Sequence, residues 1–533
     1  MGFQPNSQIP ITDIEKATLE TNNSNNEDIL IAAKGGGVSF AGRIFEYIVR
    51  FAFGIFIARV VGPEQYGLYT LAITVSLVAT NIAMLGLQTG LVRFLPASIR
   101  EKDDETTWGI IQISIGIPLI FSLILALGLF LLADNLAVLL FHDIRMVPLL
   151  RIASLLIPLD TLSFMAYIIT ISYKEPKYNV IANNILSPLV KLLLAAAFLA
   201  IGLSTKGILI AQVIASIAGL LVLIYFVNSL FPLLRPLGSV FKYIGKLMRY
   251  SLTVYWGWIV NTLSATFTTL ALGFVGLASG VGVYTAASRF SMIGSMFYLS
   301  IGNISTPIIA DLYSQGSNDQ LKAYYQTTAR WLIIFNLPVF LTSVLYAKPL
   351  LSLFGDDFTT GFASMIILAF GTLAYTSTGL GANTLDMTDH PKVNSINSVI
   401  LVIILIMLNI LLVPRYEVIG AALATSISTV LVNLLCLIEV WVLLRIQPYN
   451  RSLFKPLLAG LIAGLVAVII NRFLPLPYLP QLIVGGGTLW LVYFGLLLLF
   501  KLPPEDMLVV ERTISRIRIK SSFINLFTKN KHK

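Results

Sequence analysis

The sequence predicts an all-α polytopic membrane protein of about 14 transmembrane helices, arranged as two six-helix lobes related by a parallel internal repeat and followed by two C-terminal helices. Three observations carry this. Hydrophobic residues make up 56% of the 533-residue chain and charged residues only 12%, whereas a soluble domain is about 25% charged. Apolar runs near the roughly 20 residues that a helix needs to cross a bilayer core recur along the whole length. The chain also resembles itself at a spacing of about 215 residues.

The elements follow in order. Residues 1–33 are polar, with NNSNNED in the middle, and lack the basic start and apolar core of a signal peptide, so a disordered cytoplasmic tail is expected over 1–37. Six spans, approximately 38–61, 67–93, 108–133, 148–172, 180–201 and 207–231, form an N-terminal lobe over 38–231. A basic cytoplasmic linker, 232–249, carries most of RPLGSVFKYIGKLMRY (235–250). Spans at 250–276, 284–308, 328–347, 361–383, 393–413 and 418–443 form a C-terminal lobe over 250–443. Two additional helices occupy 455–501, and 502–533 is a basic cytoplasmic tail. Pro118, Pro188 and Pro338 fall inside spans, where membrane helices tolerate them.

Most of the 36 Lys and Arg residues fall on the side of the membrane shared by both termini. Positive loops stay inside, so both termini are expected to be cytoplasmic and the protein to lie in the plasma (inner) membrane. The net charge of +10 is distributed accordingly, and no nucleic-acid partner is expected. The single Cys436 excludes a disulfide framework, and His142, His390 and His532 are scattered, so no metal site is expected. GGGVSFAGR (35–43) lacks the Gly-Lys-Ser/Thr ending and preceding strand of a P-loop.

The repeat is read from three matches. GLYTLA (67–72) returns as GVYTAA (282–287), PKYNVI (176–181) as PKVNSI (391–396), and GILIAQVIAS (207–216) as GAALATSIST (420–429). The offset equals an even number of spans, so both copies have the same orientation and are related by an axis along the membrane normal. Two such lobes around a cleft suit alternating access.

The first span, GRIFEYIVRFAFGIFIARVVG (42–62), carries charges that a bilayer centre disfavours by roughly 3 kcal/mol each. At about 100° per residue Arg43 and Arg50 stack within about 20° of each other, with Glu46 between them and Gly54 extending the stripe. Arg59 points to the opposite side near the outer end, where it can snorkel. Arg151 and Asp160 lie on the fourth span, Lys191 on the fifth and Arg289 on the eighth; Asp160 and Lys191 are at depths that allow a direct pair.

IARVVGPEQYGLY (57–69) resembles the conserved turn between the first two spans of the polysaccharide and O-antigen flippases of the multidrug/oligosaccharidyl-lipid/polysaccharide (MOP) transporter superfamily. Residues 377–428 are similar to the C-terminal domain of that family, LLVPRYEVIGAALAT (411–425) above all, with Glu417 where a glycine is common. The resemblance covers roughly 38 to 445. It implies inversion of a lipid-linked oligosaccharide from the cytoplasmic to the outer leaflet. It also implies a place between cytoplasmic glycosyltransferases and an outward-facing polymerase, ligase or oligosaccharyltransferase.

Such a substrate brings a phosphate or pyrophosphate across hydrocarbon, and arginine meets phosphate with a planar fork of donors. Arg43, Arg50, Arg289 and Lys191 are therefore the expected head-group residues. On the seventh span Trp256, Asn261 and Thr262 suit a sugar chain by stacking and hydrogen bonding. No cofactor is expected; coupling to protons or sodium ions would act through Glu46 or Asp160, carboxylates whose burial changes their affinity for a proton. The alternative is a cation-coupled drug or metabolite exporter on the same scaffold, disfavoured because basic residues outnumber acidic ones within the spans. A membrane glycosyltransferase is disfavoured because the loops are short and Asp103–Asp104 and Asp356–Asp357 fall on opposite sides; the chain reads as a transporter and not an enzyme.

Overall fold

The computed structural model describes the backbone of residues 11–233, 241–474 and 476–500; side chains are described at Gly42 and from Phe45 on, save a few at 241–246. Residues 1–10 of the expected tail, 234–240 of the linker and the basic tail from 501 on lie outside the described residues. Along the chain run α1 (Ile11–Ala83), α2 (Leu87–Glu101), α3 (Asp104–Leu131), α4 (Met146–Ser172), α5 (Lys177–Ala200), α6 (Ser204–Leu230), α7 (Phe241–Phe274), α8 (Ala278–Ser314), α9 (Asn318–Leu345), α10 (Asp356–Met387), α11 (Pro391–Leu444), α12 (Arg451–Phe473) and α13 (Tyr478–Leu499). No strand occurs among the described residues.

Ten of these helices, α3 to α6 and α8 to α13, are long and apolar enough to cross a membrane; α1 from Phe45 on together with α2, bent by 49°, adds an eleventh. The protein is a multi-pass membrane protein. Fourteen spans were expected, and part of the difference lies in α1 and α11, each of which holds two expected spans on either side of a break. The outward faces are apolar, as a lipid solvent demands. On α3, Ile124 (60% exposed), Leu127 and Leu131 point out while Ser114 and Ser122 are buried.

The two breaks have different chemistry. α1 breaks at Gly62 (φ 78°, ψ 173°), followed by Pro63; glycine enters this region without a Cβ clash and proline cannot donate back into the preceding turn. α11 breaks at Glu417 (φ 48°, ψ −123°), an exposed residue in a conformation that suits glycine. Such strain costs about 1–3 kcal/mol, and glycine returns part of it through its freer unfolded chain. Glu417→Gly is therefore expected to stabilise the protein by about 1 kcal/mol, read as a raised thermal midpoint in detergent. A lowered midpoint would contradict the strain.

The chain divides into two compact units. The first comprises residues 1–289, 353–364 and 398–428, the second 290–352, 365–397 and 429–533. In the first, Leu87, Leu91 and Leu95 of α2 form one core with Trp108 and Ile111 of α3, Met165 and Ile169 of α4 and Leu247 of α7. Asp103 caps α3 by accepting from the Thr106 backbone N–H at 2.9 Å, and the Thr107 hydroxyl donates to Ser98 at 3.0 Å. α1 and α8 cross backbone to backbone: a Cβ at Gly67 would overlap the Ala278 carbonyl oxygen, and one at Gly282 the Pro63 carbonyl oxygen.

Between α3 and α4 the Arg145 guanidinium joins Asp143 (2.7 Å) to Glu64 (2.6 Å), which follows the Gly62 break. Hydrogen bonds from Arg145 hold the Asp143 carboxyl below its usual range. A depressed carboxyl contributes stability above its ordinary value of about 4 and loses it as pH falls through the lower folded value. The wild-type midpoint is thus expected to fall more steeply than that of Asp143→Asn below about pH 4. The difference should stay under about 1 kcal/mol because the network is exposed.

In the second unit α12 and α13 pack on α9. A Cβ at Gly460 would lie 3.1 Å from Leu337 Cγ, the Trp490 indole N–H donates to Thr342 Oγ1 at 3.0 Å, and the Tyr493 hydroxyl donates to the Ile334 carbonyl at 3.1 Å. Small residues (Ala459, Ala463, Ala467) line the contact face of α12, the usual way membrane helices approach closely.

Candidate functional site

Five charged residues of the first unit, Glu46, Arg50, Asp160, Lys191 and Arg289, gather around the middle of α1. One helical turn brings Glu46 to Arg50, and their side chains meet at 2.7 Å, with Glu46 21% exposed and Arg50 67%. Arg50 therefore keeps most of its donor fork open while its charge is partly balanced. One turn further, Gly54 presents bare backbone, and the Arg289 guanidinium from α8 lies on it: its Nη1 donates to the Arg50 carbonyl oxygen at 3.2 Å. A main-chain oxygen and a glycine thus hold a second arginine beside the first, which two like charges would not do unaided.

Aromatic rings form the rest of the setting. The Lys191 ammonium lies 4.2 Å from the Phe53 ring centroid and 5.6 Å from that of Tyr69, a cation–π arrangement that partly compensates lost hydration. Tyr66 and Tyr69 stack at 6.4 Å, and Tyr66, fully buried, meets Phe358 edge-on at 6.1 Å. Asp160 of α4 accepts from the Ser216 hydroxyl of α6 at 3.1 Å and lies within electrostatic reach of Arg50 and Lys191. Two arginines, a lysine and two carboxylates thus share one intramembrane neighbourhood.

The structure brings together Arg50, Arg289, Lys191, Glu46 and Asp160 of the expected residues. The Arg43 side chain lies outside the described residues. The direct Asp160–Lys191 pair is corrected: among the described residues Asp160 accepts from Ser216 of α6 and Lys191 sits over the Phe53 and Tyr69 rings of α1, so each finds a different partner on a neighbouring helix. Arg151 does not join the group; it pairs with Asp134 at 2.7 Å on an exposed face. Trp256 is 70% exposed, Asn261 is exposed, and the Thr262 carbonyl accepts from Thr266 at 2.7 Å. Their neighbours on α7 reach α2 and the end of α1: Trp258 donates to Thr89 at 3.0 Å and Tyr255 to the Ile82 carbonyl at 2.9 Å.

Sequence reasoning missed Tyr66, Tyr69 and Ser216. The tyrosines stand inside IARVVGPEQYGLY, and Ser216 closes the repeat segment GILIAQVIAS, so position was available but no periodicity gave them a partner.

Known proteins resemble this chain in sequence and fold. The sequence model of a family described as "Polysaccharide biosynthesis protein" matches residues 32–313, and a second, "MatE", matches 254–411. An uncharacterized membrane protein of Methanocaldococcus jannaschii is 25% identical over 323 residues, 59% of this chain and 61% of that one. The probable flippase AglR of Haloferax volcanii is 27% identical over 261 residues, 47% and 52% of the two chains. The chain spans between 32% and 61% of the length of the curated relatives it matches. Among solved structures, the lipid II flippase MurJ in an inward closed conformation superposes with a TM-score of 0.70 at 16% identity, covering 87% of this chain and 98% of that one. At that identity the likeness is one of fold.

Proposed function

The chain belongs to the polysaccharide biosynthesis protein family, and from that premise we propose that it moves a lipid-(pyro)phosphate-linked oligosaccharide from the cytoplasmic to the outer leaflet by alternating access. The observation that carries this reading is the pair Arg50–Arg289, two forked cations brought together from α1 and α8, with Lys191 nearby. A pyrophosphate needs such donors to leave water. In this reading Arg43, Arg50, Arg289 and Lys191 receive the head group, and Trp256, Asn261 and Thr262 of α7 line the sugar path. Glu46 or Asp160 takes up a coupling proton or sodium ion.

Alternating access needs two comparable halves, and the proposed lobes are 38–231 and 250–443. Support comes from ten of the fifteen positive-φ residues among the described residues, which pair in order: Gly62 and Gly276, Lys102 and Gly316, His142 and Gly355, Lys174 and Asp389, Gly202 and Glu417. Each pair is separated by 213 to 215 residues, the offset of the sequence repeat. α3 and α9, both 28 residues long, begin 214 residues apart. Both termini are placed on the cytoplasmic side of the plasma membrane, next to the enzymes that build the substrate; the product would pass to a polymerase, ligase or oligosaccharyltransferase outside.

The test is leaflet exchange of a labelled lipid-pyrophosphate oligosaccharide in proteoliposomes. Protein-dependent exchange supports the reading, and its dependence on pH, sodium or membrane potential identifies the coupling. The match to MatE over 254–411 favours a second reading, a cation-coupled exporter of small molecules. Absence of lipid exchange together with proton-competed binding of a cationic dye would select it.

A further inference from the structure

We infer that Gly54 is a positioning residue for the head-group site: its bare backbone is the surface on which the Arg289 guanidinium rests, and any side chain there would dislodge it. This rests on the head-group reading above. A Cβ built at Gly54 would stand 2.8 Å from Arg289 Nη1, 2.9 Å from Cζ and 3.4 Å from Nε, so it would meet the whole guanidinium plane. The element that must yield is the far end of a flexible side chain, not backbone, so the helix stays and the guanidinium moves. In moving it loses the Arg50 carbonyl oxygen, 3.2 Å from Nη1, and with it the contact that holds two arginines side by side.

The surroundings leave Arg289 little else to hold. Its Nε is buried with no hydrogen-bond partner, and the buried Tyr66 hydroxyl stands beside the guanidinium. An unpartnered buried N–H on a forked cation is costly and is relieved by an anion's oxygen. Gly54 is therefore required for charge placement and not for a turn: it carries no left-handed φ, unlike Gly62 eight residues on.

The experiment uses the full-length protein in detergent and a soluble short-chain prenyl diphosphate as probe. It compares wild type, Gly54→Ala, Arg289→Ala and the double variant, and it also measures labelling of Arg289 by an arginine-specific dicarbonyl reagent. Gly54→Ala is expected to raise Arg289 labelling and to weaken probe binding about tenfold to a hundredfold, the scale of a charge-assisted hydrogen bond. Arg289→Ala should weaken binding by a similar factor, and the double variant should be no worse than either. Unchanged labelling in Gly54→Ala, or losses that multiply in the double variant, would overturn the positioning role. Raised labelling with unchanged affinity would instead overturn the head-group reading and leave the contact standing. If Gly54→Ala fails to accumulate in the membrane, Arg289→Ala in the same chain is expected to restore it by removing the clash; failure to restore would refute the contact.

Discussion

Gly67→Ala is expected to abolish folding of the first unit. At this crossing α1 and α8 touch through their backbones, and the added methyl would occupy the space of the Ala278 carbonyl oxygen. Neither partner is a side chain that can swing aside. Separating the two helices would open the contacts beyond them, where Val281, Val283 and Ala286 are buried. Overpacking of this kind costs about 1–3 kcal/mol where side chains can adjust, and more where backbone must move. With a typical total of about 5–15 kcal/mol, the loss is a large share. Gly282→Ala should behave alike, since its Cβ would overlap the Pro63 carbonyl oxygen. The measurement is the fraction of full-length protein recovered monodisperse from membranes. Near wild-type recovery of both variants would mean that the crossing is looser than described.

Arg50→Ala is expected to reduce lipid exchange about a hundredfold. Arg50 presents an open fork and shares its carbonyl oxygen with Arg289, so in the proposed function it is the first donor that a phosphate meets. One charge-assisted hydrogen bond is worth about 1.5–3 kcal/mol, and about 1.4 kcal/mol is tenfold in binding. Removing Arg50 also leaves Glu46 without its ion-pair partner, a structural effect that would mimic a functional one. The double variant Glu46→Gln/Arg50→Ala separates them, because it removes the unpaired charge as well. If exchange stays low in the double variant while its thermal midpoint recovers, the arginine acts on substrate. If exchange recovers too, the pair is structural. Arg50→Lys should fall between, keeping the charge and losing the planar fork.

Much of this architecture is legible in the order of the amino acids. Arg43, Glu46 and Arg50 share a stripe because a helix repeats about every 3.6 residues, and the Glu46–Arg50 pair at 2.7 Å is that arithmetic realised. The membrane class follows from composition, and the family from IARVVGPEQYGLY and the 411–425 segment. Glu417, singled out because glycine is common at its position, sits at φ 48° where the chain breaks. Span ends are less legible: an apolar run marks a helix, but not how closely the next one follows it across a break such as Gly62 or Glu417.

The sequence by itself determined which residues are too costly to leave in lipid, the direction in which each helix presents them, and the family to which the chain belongs. The tertiary structure alone decided their partners. Arg289 stands 239 residues from Arg50, and nothing periodic links them. They meet because Gly54 leaves room on α1 and because Gly67 and Gly282 let α1 and α8 approach closely. In the same way Asp160 found Ser216 and Lys191 found Phe53 and Tyr69, where a direct ion pair was equally compatible with depth. Helical periodicity is a property of neighbours within a few turns. Pairing between helices depends on crossing geometry, which is set by close packing at a few small residues.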